Sequence, residues 1–320
     1  RDESFTHLSS LTSHRSPLTT QYSLLTTHYS LLTTHYSLLT THHSPLTTHH
    51  SPLTTSMDFT QKTYRTLLQA LQAQGFSFIT FEEYMLQQSG RDLESHSDYT
   101  IILRHDVDLK PQNSLATAKL EHELGIKGSY YFRAVPQSWD EQIIREIAAL
   151  GHEVGYHYEN LTICNGNIEE AYTDFTVNLY RLRQLTNVTT ICMHGSPTSR
   201  YDSKDIWKHY SYRDLGIIGE PYFDMDFDQF FYLTDTGRRW DGWRTSVRDR
   251  VPQQEQWNKQ GLTFSSTQSI INAAQKGGLP HRIMITVHPQ RWSNSAAPWV
   301  KELVLQNVKN LVKRVLVGFR

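Results

Sequence analysis

Two carboxylates, Asp106 and Asp108, stand two positions apart after a short apolar run. Alternate residues of an extended segment share one face, so both side chains are predicted to point the same way. Like charges this close are unfavourable unless a cation or a proton lies between them. Beside a divalent metal, one carboxylate could bind the ion while the other accepts a proton from an attacking water. A helix cap or a surface pair is the alternative interpretation of the spacing.

Three histidines, His157, His194 and His288, also follow short apolar runs. Imidazole nitrogens bind zinc-like metals, which makes His157 and His194 candidate ligands. His288 suits a general acid, because imidazole titrates close to neutral pH. A single histidine can equally be a hydrogen-bonded structural residue, and that is the role we expect for His105 and His152.

The apolar runs before these side chains predict strands that alternate with helices. Predicted strands cover 76–80, 99–103, 129–132, 153–156, 189–193 and 282–287, and predicted helices cover 59–74, 81–88, 114–124, 141–150, 168–185, 268–275 and 297–317. This alternation is typical of repeated βαβ units, so we predict an α/β fold with a parallel sheet, open or closed as a barrel. Chemistry in such folds gathers at the carboxyl ends of the strands, where these aspartates and histidines stand.

Three segments resemble motifs of the polysaccharide deacetylase family. Leu103-Arg-His-Asp-Val-Asp108 resembles the first motif, in the Asp-Val-Asp form of enzymes that deformylate lipid-linked aminosugars. Gly151-His-Glu-Val-Gly-Tyr-His157 resembles the second motif, and Ile283-Met-Ile-Thr-Val-His288 resembles the last. The similarity covers residues 100–288 and implies the distorted (β/α) barrel of that family.

The resemblance implies a role for each matching residue. Asp106 would be the general base, Asp108 and His157 would be metal ligands, and His288 would be the general acid. The implied reaction is hydrolysis of an N-acetyl group on a sugar. The implied cofactor is a divalent metal, and zinc is the one we expect.

The chain departs from the family at the third metal ligand. A second histidine normally follows four residues after the first in the second motif, and Leu161 occupies that position here. His194 is the first candidate for a replacement ligand, and Glu159 is the second. The third motif, normally Arg-Pro-Pro-Tyr, is replaced by His194-Gly-Ser-Pro197.

The expected substrate-binding residues are Glu159, Arg239, Trp240 and Asp241, of which the last three can stand in for the Asp-Trp element of the fourth motif. The aromatic-rich stretch 222–243 is either a wall that holds the sugar or a second layer of core. Arg238, Arg239 and Arg244 could instead bind a phosphate, which would suit a nucleotide-sugar or a lipid-linked sugar substrate.

Residues 18–55 repeat with a period of seven, as Leu-Thr-Thr-His-Tyr-Ser-Leu and later as Ser-Pro-Leu-Thr-Thr-His-His. The polar and proline content argues against a coiled coil, whereas tandem copies of CTCACTA and TCACCAC would encode both versions. We therefore predict that 1–56 is translated repeat DNA and disordered, and that the protein starts at Met57. The deacetylase-like barrel is then predicted for 57–320. A metal-binding tail is the alternative interpretation of the tract.

The formal net charge of −1 indicates no nucleic-acid partner, and two cysteines make no disulfide framework. No apolar run reaches the roughly 20 residues of a bilayer span, and no secretory signal is visible. We expect a cytoplasmic enzyme, without stable membrane insertion, that deacetylates a sugar intermediate of bacterial surface glycan biosynthesis. The alternatives are an amide or imide hydrolase of the same fold and a catalytically silent glycan-binding protein.

Overall fold

The computed structural model describes residues 57–90, 98–196, 199–241 and 251–318. The repeat tract 1–56, for which disorder was predicted, lies outside the described residues. Trp243 and Arg244 also lie outside them.

Seven parallel strands form one sheet, as the alternating pattern predicts. The strands are β1 (Ser77–Ile79), β2 (Thr100–Val107), β3 (Ser129–Phe132), β4 (Glu153–Tyr158), β5 (Ile191–Met193), β6 (Phe231–Thr234) and β7 (Arg282–Val287). Their order is β5-β4-β3-β2-β7-β6, and β1 pairs with the first residues of β2, before the stretch that pairs with β3. Among the described residues no pairing joins β5 to β6. The sheet is therefore a curled, open form of the distorted (β/α) barrel.

Helices connect the strands and cover the sheet. They are α1 (Gln61–Ala73), α2 (Phe81–Gln88), α3 (Pro111–Glu123), α4 (Glu141–Ala149), α5 (Asn160–Ile163), α6 (Ile168–Arg183), α7 (Pro221–Asp224), α8 (Gln254–Lys259), α9 (Thr267–Gln275) and α10 (Ala296–Gly318), with short 3-10 helices at Ser203–Lys208, Tyr212–Leu215 and Pro289–Arg291. Local sequence explains where they begin. Thr80, for example, starts α2 with a capping box. The Thr80 hydroxyl accepts a hydrogen bond from the Glu83 amide, and the Glu83 carboxylate accepts one from the Thr80 amide. Of the helices in the described ranges, none is both long and apolar enough to cross a bilayer.

Two strands are longer than the sequence predicts. The strand predicted for 99–103 continues to Val107, and the strand predicted for 153–156 continues to Tyr158. Asp106 is therefore in register with Tyr131 of β3, and His157 with Cys192 of β5. Polar side chains can lie inside these buried strands because each has a partner, as Asp106 has in Arg104.

The two faces of β2 carry different polar groups. Alternation along a strand puts Arg104 and Asp106 on one face and His105 on the other. Nε2 of His105 lies 2.7 Å from a carboxylate oxygen of Glu121 in α3. Nδ1 of His152 lies 3.7 Å from the other Glu121 oxygen, and both histidine side chains are fully buried. His105 and His152 thus belong to a buried network beneath α3, consistent with the structural role expected for them.

Gly155 of β4 is a small residue beside a large one, Tyr131, on the neighbouring strand β3. Its register partner in β3 is Tyr131, whose ring carbon Cε1 would lie 2.3 Å from a Cβ added at Gly155. A real Cβ cannot approach this closely, so the glycine makes room for the tyrosine ring. Gly155, the later of the two glycines in the second motif, is therefore required by packing within the sheet.

Candidate metal and catalytic site

Six neighbouring strands each place a polar side chain at the first position after the strand. These residues are Asp108 after β2, Arg133 after β3, Glu159 after β4, His194 after β5, Asp235 after β6 and His288 after β7. Parallel strands end at the same edge of a sheet, so the six side chains meet there. In spatial order they run His194, Glu159, Arg133, Asp108, His288 and Asp235, and we call this row the edge belt.

Three side chains converge on a space that suits a metal ion. Ligand atoms of Asp108, His157 and His194 all lie within 4.8 Å of one another. Oδ1 of Asp108 is 3.6 Å from Nε2 of His157 and 3.5 Å from Nε2 of His194. This Oδ1 is buried and has no hydrogen-bond partner among the described residues. A buried carboxylate oxygen facing two imidazole nitrogens is a donor set that fits a divalent cation such as zinc.

In both histidines Nδ1 has a hydrogen-bond partner, and this leaves Nε2 as the nitrogen that can bind a metal. Nδ1 of His157 donates to the carbonyl oxygen of Cys192 at 2.9 Å, because a carbonyl can only accept. Nδ1 of His194 donates to Oε2 of Glu159 at 2.8 Å. Burial, and then the charge of His194, holds the pKa of His157 well below its usual range, so this ring is neutral. Neutral His157 therefore presents the lone pair of its Nε2 toward Asp108, and Nε2 is also the nitrogen of His194 that faces Asp108.

Asp106 lies beside this cluster and is bound by an arginine. Both of its oxygens accept from Arg104, at 2.7 Å each, and its Oδ2 lies 3.8 Å from Nε2 of His157. Burial raises the pKa of Asp106, but the charge and hydrogen bonds of Arg104 outweigh it, so the pKa lies below its usual range. Asp106 is thus a buried, ionised carboxylate next to the three donor atoms. Cys192 forms a second group of potential donors with Asp106 and His157, in which the Asp106 oxygens already accept from Arg104.

His288 is held on the opposite side of Asp108. Its Nδ1 donates to Oδ1 of Asp235 at 2.6 Å, and its Nε2 lies 3.9 Å from Oδ2 of Asp108. Asp235 is fully buried and also accepts from Arg291 at 2.7 Å and from the Trp292 indole at 2.8 Å. Burial raises the pKa of Asp235, but Arg291 and His288 outweigh it, so the carboxylate stays ionised.

The structure adds residues to which the sequence analysis gave no role: Arg104, Arg133, Asp235 and Gln290. Asp235 carries the same signal as the predicted residues, an aspartate directly after a strand, but β6 was not predicted within the aromatic stretch. Gln290 donates to Oδ2 of Asp108 at 3.1 Å from the 3-10 turn that follows His288. Nothing in the local sequence distinguishes it, because the contact is made across the fold.

Leu161 contributes no ligand and faces an apolar cluster. It is 3% exposed and packs with Ala171 and Ile206. The third donor of the cluster comes instead from His194, on the neighbouring strand end.

The four residues expected to bind substrate have other partners in the structure. Glu159 reaches the site, but its oxygens accept from His194 and Arg133. Arg239 donates to both oxygens of Asp241, at 2.7 and 2.9 Å. Trp240 is 3% exposed within the main core, and its indole donates to Thr267. The structure therefore places Trp240 in the core layer rather than at a substrate surface, because its ring stacks on Phe59.

Most of the described aromatic stretch is also core. Phe230, Phe231 and Tyr232 are buried in the main cluster, whereas Tyr222 lies beside the candidate site. The Tyr222 ring centroid is 5.8 Å from the guanidinium carbon of Arg104 and 4.8 Å from Nζ of Lys204. Arg238, considered above for phosphate binding, donates to the carbonyl oxygen of Trp299.

No protein-family model and no curated protein matches this sequence. Several solved structures are similar in fold at low identity. The Streptococcus pyogenes deacetylase PplD is 14% identical, with a TM-score of 0.37, and the match covers 51% of this chain and 75% of that one. A Bacillus anthracis pseudoenzyme of carbohydrate esterase family 4 is 10% identical, with a TM-score of 0.35, over 66% of this chain and 61% of that one. A family 4 carbohydrate esterase from Bacillus anthracis is 11% identical, with a TM-score of 0.34, over 71% of this chain and 83% of that one.

Proposed function

We propose that this chain is a metal-dependent N-deacetylase that acts on a sugar intermediate of bacterial surface glycan biosynthesis. One observation carries the proposal. The three metal-donor atoms of Asp108, His157 and His194 lie between an arginine-bound carboxylate, Asp106, and an aspartate-bound imidazole, His288. A base on one side and an acid on the other is the arrangement that amide hydrolysis needs.

Asp108, His157 and His194 would hold the metal, with zinc expected from the mixed nitrogen and oxygen donors. A divalent ion there would polarise the acyl carbonyl and lower the pKa of water. Asp106 acts as the base, since it is ionised and adjacent to the donor cluster. It takes a proton as the oxygen of water bonds to the acyl carbon. Arg104 holds this carboxylate in one orientation throughout.

His288 acts as the acid. Its Nδ1–H donates a hydrogen bond to Asp235, which fixes the orientation of the ring. The opposite nitrogen, Nε2, faces the cluster and gives its proton to the leaving nitrogen as the C–N bond breaks. The products are a carboxylate and an amine.

A sugar substrate is supported by the position of Tyr222 next to Arg104 and Lys204. Because Arg104 is paired with Asp106, the aromatic ring of Tyr222 and the charge of Lys204 are the groups that suit a sugar ring carrying a negatively charged group. We propose a nucleotide-linked or lipid-linked aminosugar as the substrate. We also propose a cytoplasmic location.

The test is acetate release by the full chain after zinc loading. The substrates are nucleotide-linked and free N-acetylaminosugars, an acetylated alkylamine and a cyclic imide. We expect turnover of the aminosugars, and a loss of kcat of about 100-fold or more in Asp106→Asn and in His288→Gln. The matched controls are Asp228→Asn and His122→Gln, which change exposed side chains.

Each other outcome has a defined meaning. Turnover of the imide or the alkylamine alone would replace the sugar substrate with a non-sugar amide. Sugar binding by a zinc-loaded chain without turnover of any substrate would favour a silent glycan-binding protein and contradict the proposed chemistry.

A further inference from the structure

Two members of the edge belt, Arg133 and Glu159, have no part in the reaction proposed above. Both lie against the donor cluster, and each follows directly after a strand, β3 and β4 respectively.

Glu159 is committed to two neighbours through its two oxygens. Oε2 accepts from Nδ1 of His194 at 2.8 Å. Oε1 accepts from Nε of Arg133 at 2.7 Å and lies 2.5 Å from its second nitrogen, NH2. The Glu159 side chain is 9% exposed, and neither of its oxygens belongs to a cluster of potential metal donors in the part of the chain that the structure describes. Its contacts are those of a partner of His194 rather than of a metal ligand.

Arg133 holds two strand ends at once. Its NH1 donates to the main-chain carbonyl of Asp108 at 3.1 Å, while the rest of its guanidinium binds Glu159. The positive charge balances Glu159, whose pKa is lowered chiefly by His194 and Arg133 against the effect of burial. The paired carboxylate is therefore kept away from the metal-donor atoms.

We infer that Glu159 and Arg133 are positioning residues that make His194 the third metal ligand in place of the one lost at Leu161. This inference rests on the metal site of the proposed function. A carboxylate that accepts a hydrogen bond from Nδ1–H fixes the tautomer and the orientation of the ring, and it makes Nε2 a stronger metal ligand. Arg133 keeps that carboxylate from rotating toward the cation itself.

The test measures metal affinity, so it does not depend on finding the substrate. Full-chain apoprotein is titrated with Co²⁺ and read by the visible absorption of the bound ion. Asp108→Ala serves as the blank, because it retains the eight histidines that lie within residues 1–56. The variants are His194→Ala, Glu159→Gln and the double variant, and Glu146→Gln, at a more exposed glutamate, is the matched control.

We expect Glu159→Gln to weaken Co²⁺ binding about 10- to 100-fold, with no change in Glu146→Gln. The double variant should bind no more weakly than His194→Ala, because Glu159 acts through His194. A further loss in the double variant would show that Glu159 contacts the metal directly and would overturn the inference. Unchanged affinity in Glu159→Gln would overturn it as well.

Arg133 is tested by a pair of substitutions. Arg133→Ala should weaken Co²⁺ binding, and Arg133→Lys should restore part of it, because a lysine keeps the charge but not the forked contact. Arg145→Ala, at an exposed arginine, controls for loss of charge. Equal affinity in all three would contradict the role of Arg133. If these affinities change as expected while the wild type turns over no substrate, the inference stands and the proposed hydrolase fails.

Discussion

Gln290 donates a hydrogen bond from Nε2 to Oδ2 of Asp108 at 3.1 Å, although 182 positions separate the two residues. The bond occupies one carboxylate oxygen and leaves Oδ1 facing His157 and His194. Gln290 lies two residues after His288, in the 3-10 helix Pro289–Arg291. A single turn of chain therefore carries the candidate acid and also orients the candidate metal ligand.

Replacing Gln290 by leucine should weaken metal binding while leaving the acid in place. Asp108 would lose its Oδ2 donor and could rotate, so we expect about a 10-fold or larger loss of Co²⁺ affinity. The measurement is the absorption titration described above, with Gln268→Leu, at an exposed glutamine of α9, as the matched control. Equal affinities in the two variants would mean that Asp108 needs no support from Gln290.

Restoring a histidine at position 161 should not restore the metal site. Leu161 faces the apolar cluster with Ala171 and Ile206, so an imidazole there would point away from the donor atoms. It would also bury a polar ring, which costs about 1–3 kcal/mol of unfolding free energy. We expect the double variant Leu161→His with His194→Ala to bind Co²⁺ no better than His194→Ala. Recovered binding would show that position 161 can reach the site.

Gly155→Ala should destabilise the sheet. The added methyl would lie 2.3 Å from a ring carbon of Tyr131, and relieving the clash requires movement of buried strands. We expect a loss of about 1–3 kcal/mol in unfolding free energy, measured by urea denaturation. Gly278→Ala is the control, because its nearest neighbouring atom would lie at 3.5 Å. An equal effect in both variants would rule out the proposed clash.

Glu153 should make stability depend on pH in a defined direction. Burial raises its pKa from 4.5 to about 7, although Ser129 and Thr190 donate hydrogen bonds to its carboxyl group. A folded-state pKa above the unfolded one favours folding at low pH, and that contribution is lost as pH rises through about 7. Within this window each pH unit changes the unfolding free energy by at most about 1.4 kcal/mol.

Glu153→Gln imitates the protonated carboxyl group and should remove this dependence. We expect the difference in melting temperature between variant and wild type to grow in favour of the variant between pH 4.5 and about pH 7, the two pKa values, and to level off above them. Glu220 is also buried, with a pKa near 7, and is present in both proteins, so it cancels. A constant difference across the range would show that Glu153 is ionised throughout.

The parallel α/β architecture and most of the candidate donor residues can be predicted from the sequence alone. Regular alternation of apolar runs and helices is a local property, and it predicted β3 and β7 with their observed bounds. The residue types of Asp106, Asp108, His157 and His288 were enough to suggest a base, metal ligands and an acid. The expectation that they gather near the carboxyl edge of the sheet followed from the rule that parallel strands end at one edge, although Asp106 and His157 lie inside the ends of β2 and β4 and not after them.

The partner of each group, in contrast, depends on the tertiary fold. The pairing of His288 with Asp235 spans 53 positions, and that of His194 with Glu159 spans 35. Both depend on which strands become neighbours in the order β5-β4-β3-β2-β7-β6. The position of Trp240 could not be predicted from its residue type either, because an indole can bind a sugar or pack in the core. Its packing against Phe59 places it in the core. Residue type sets what a side chain can do, and strand order sets what it meets.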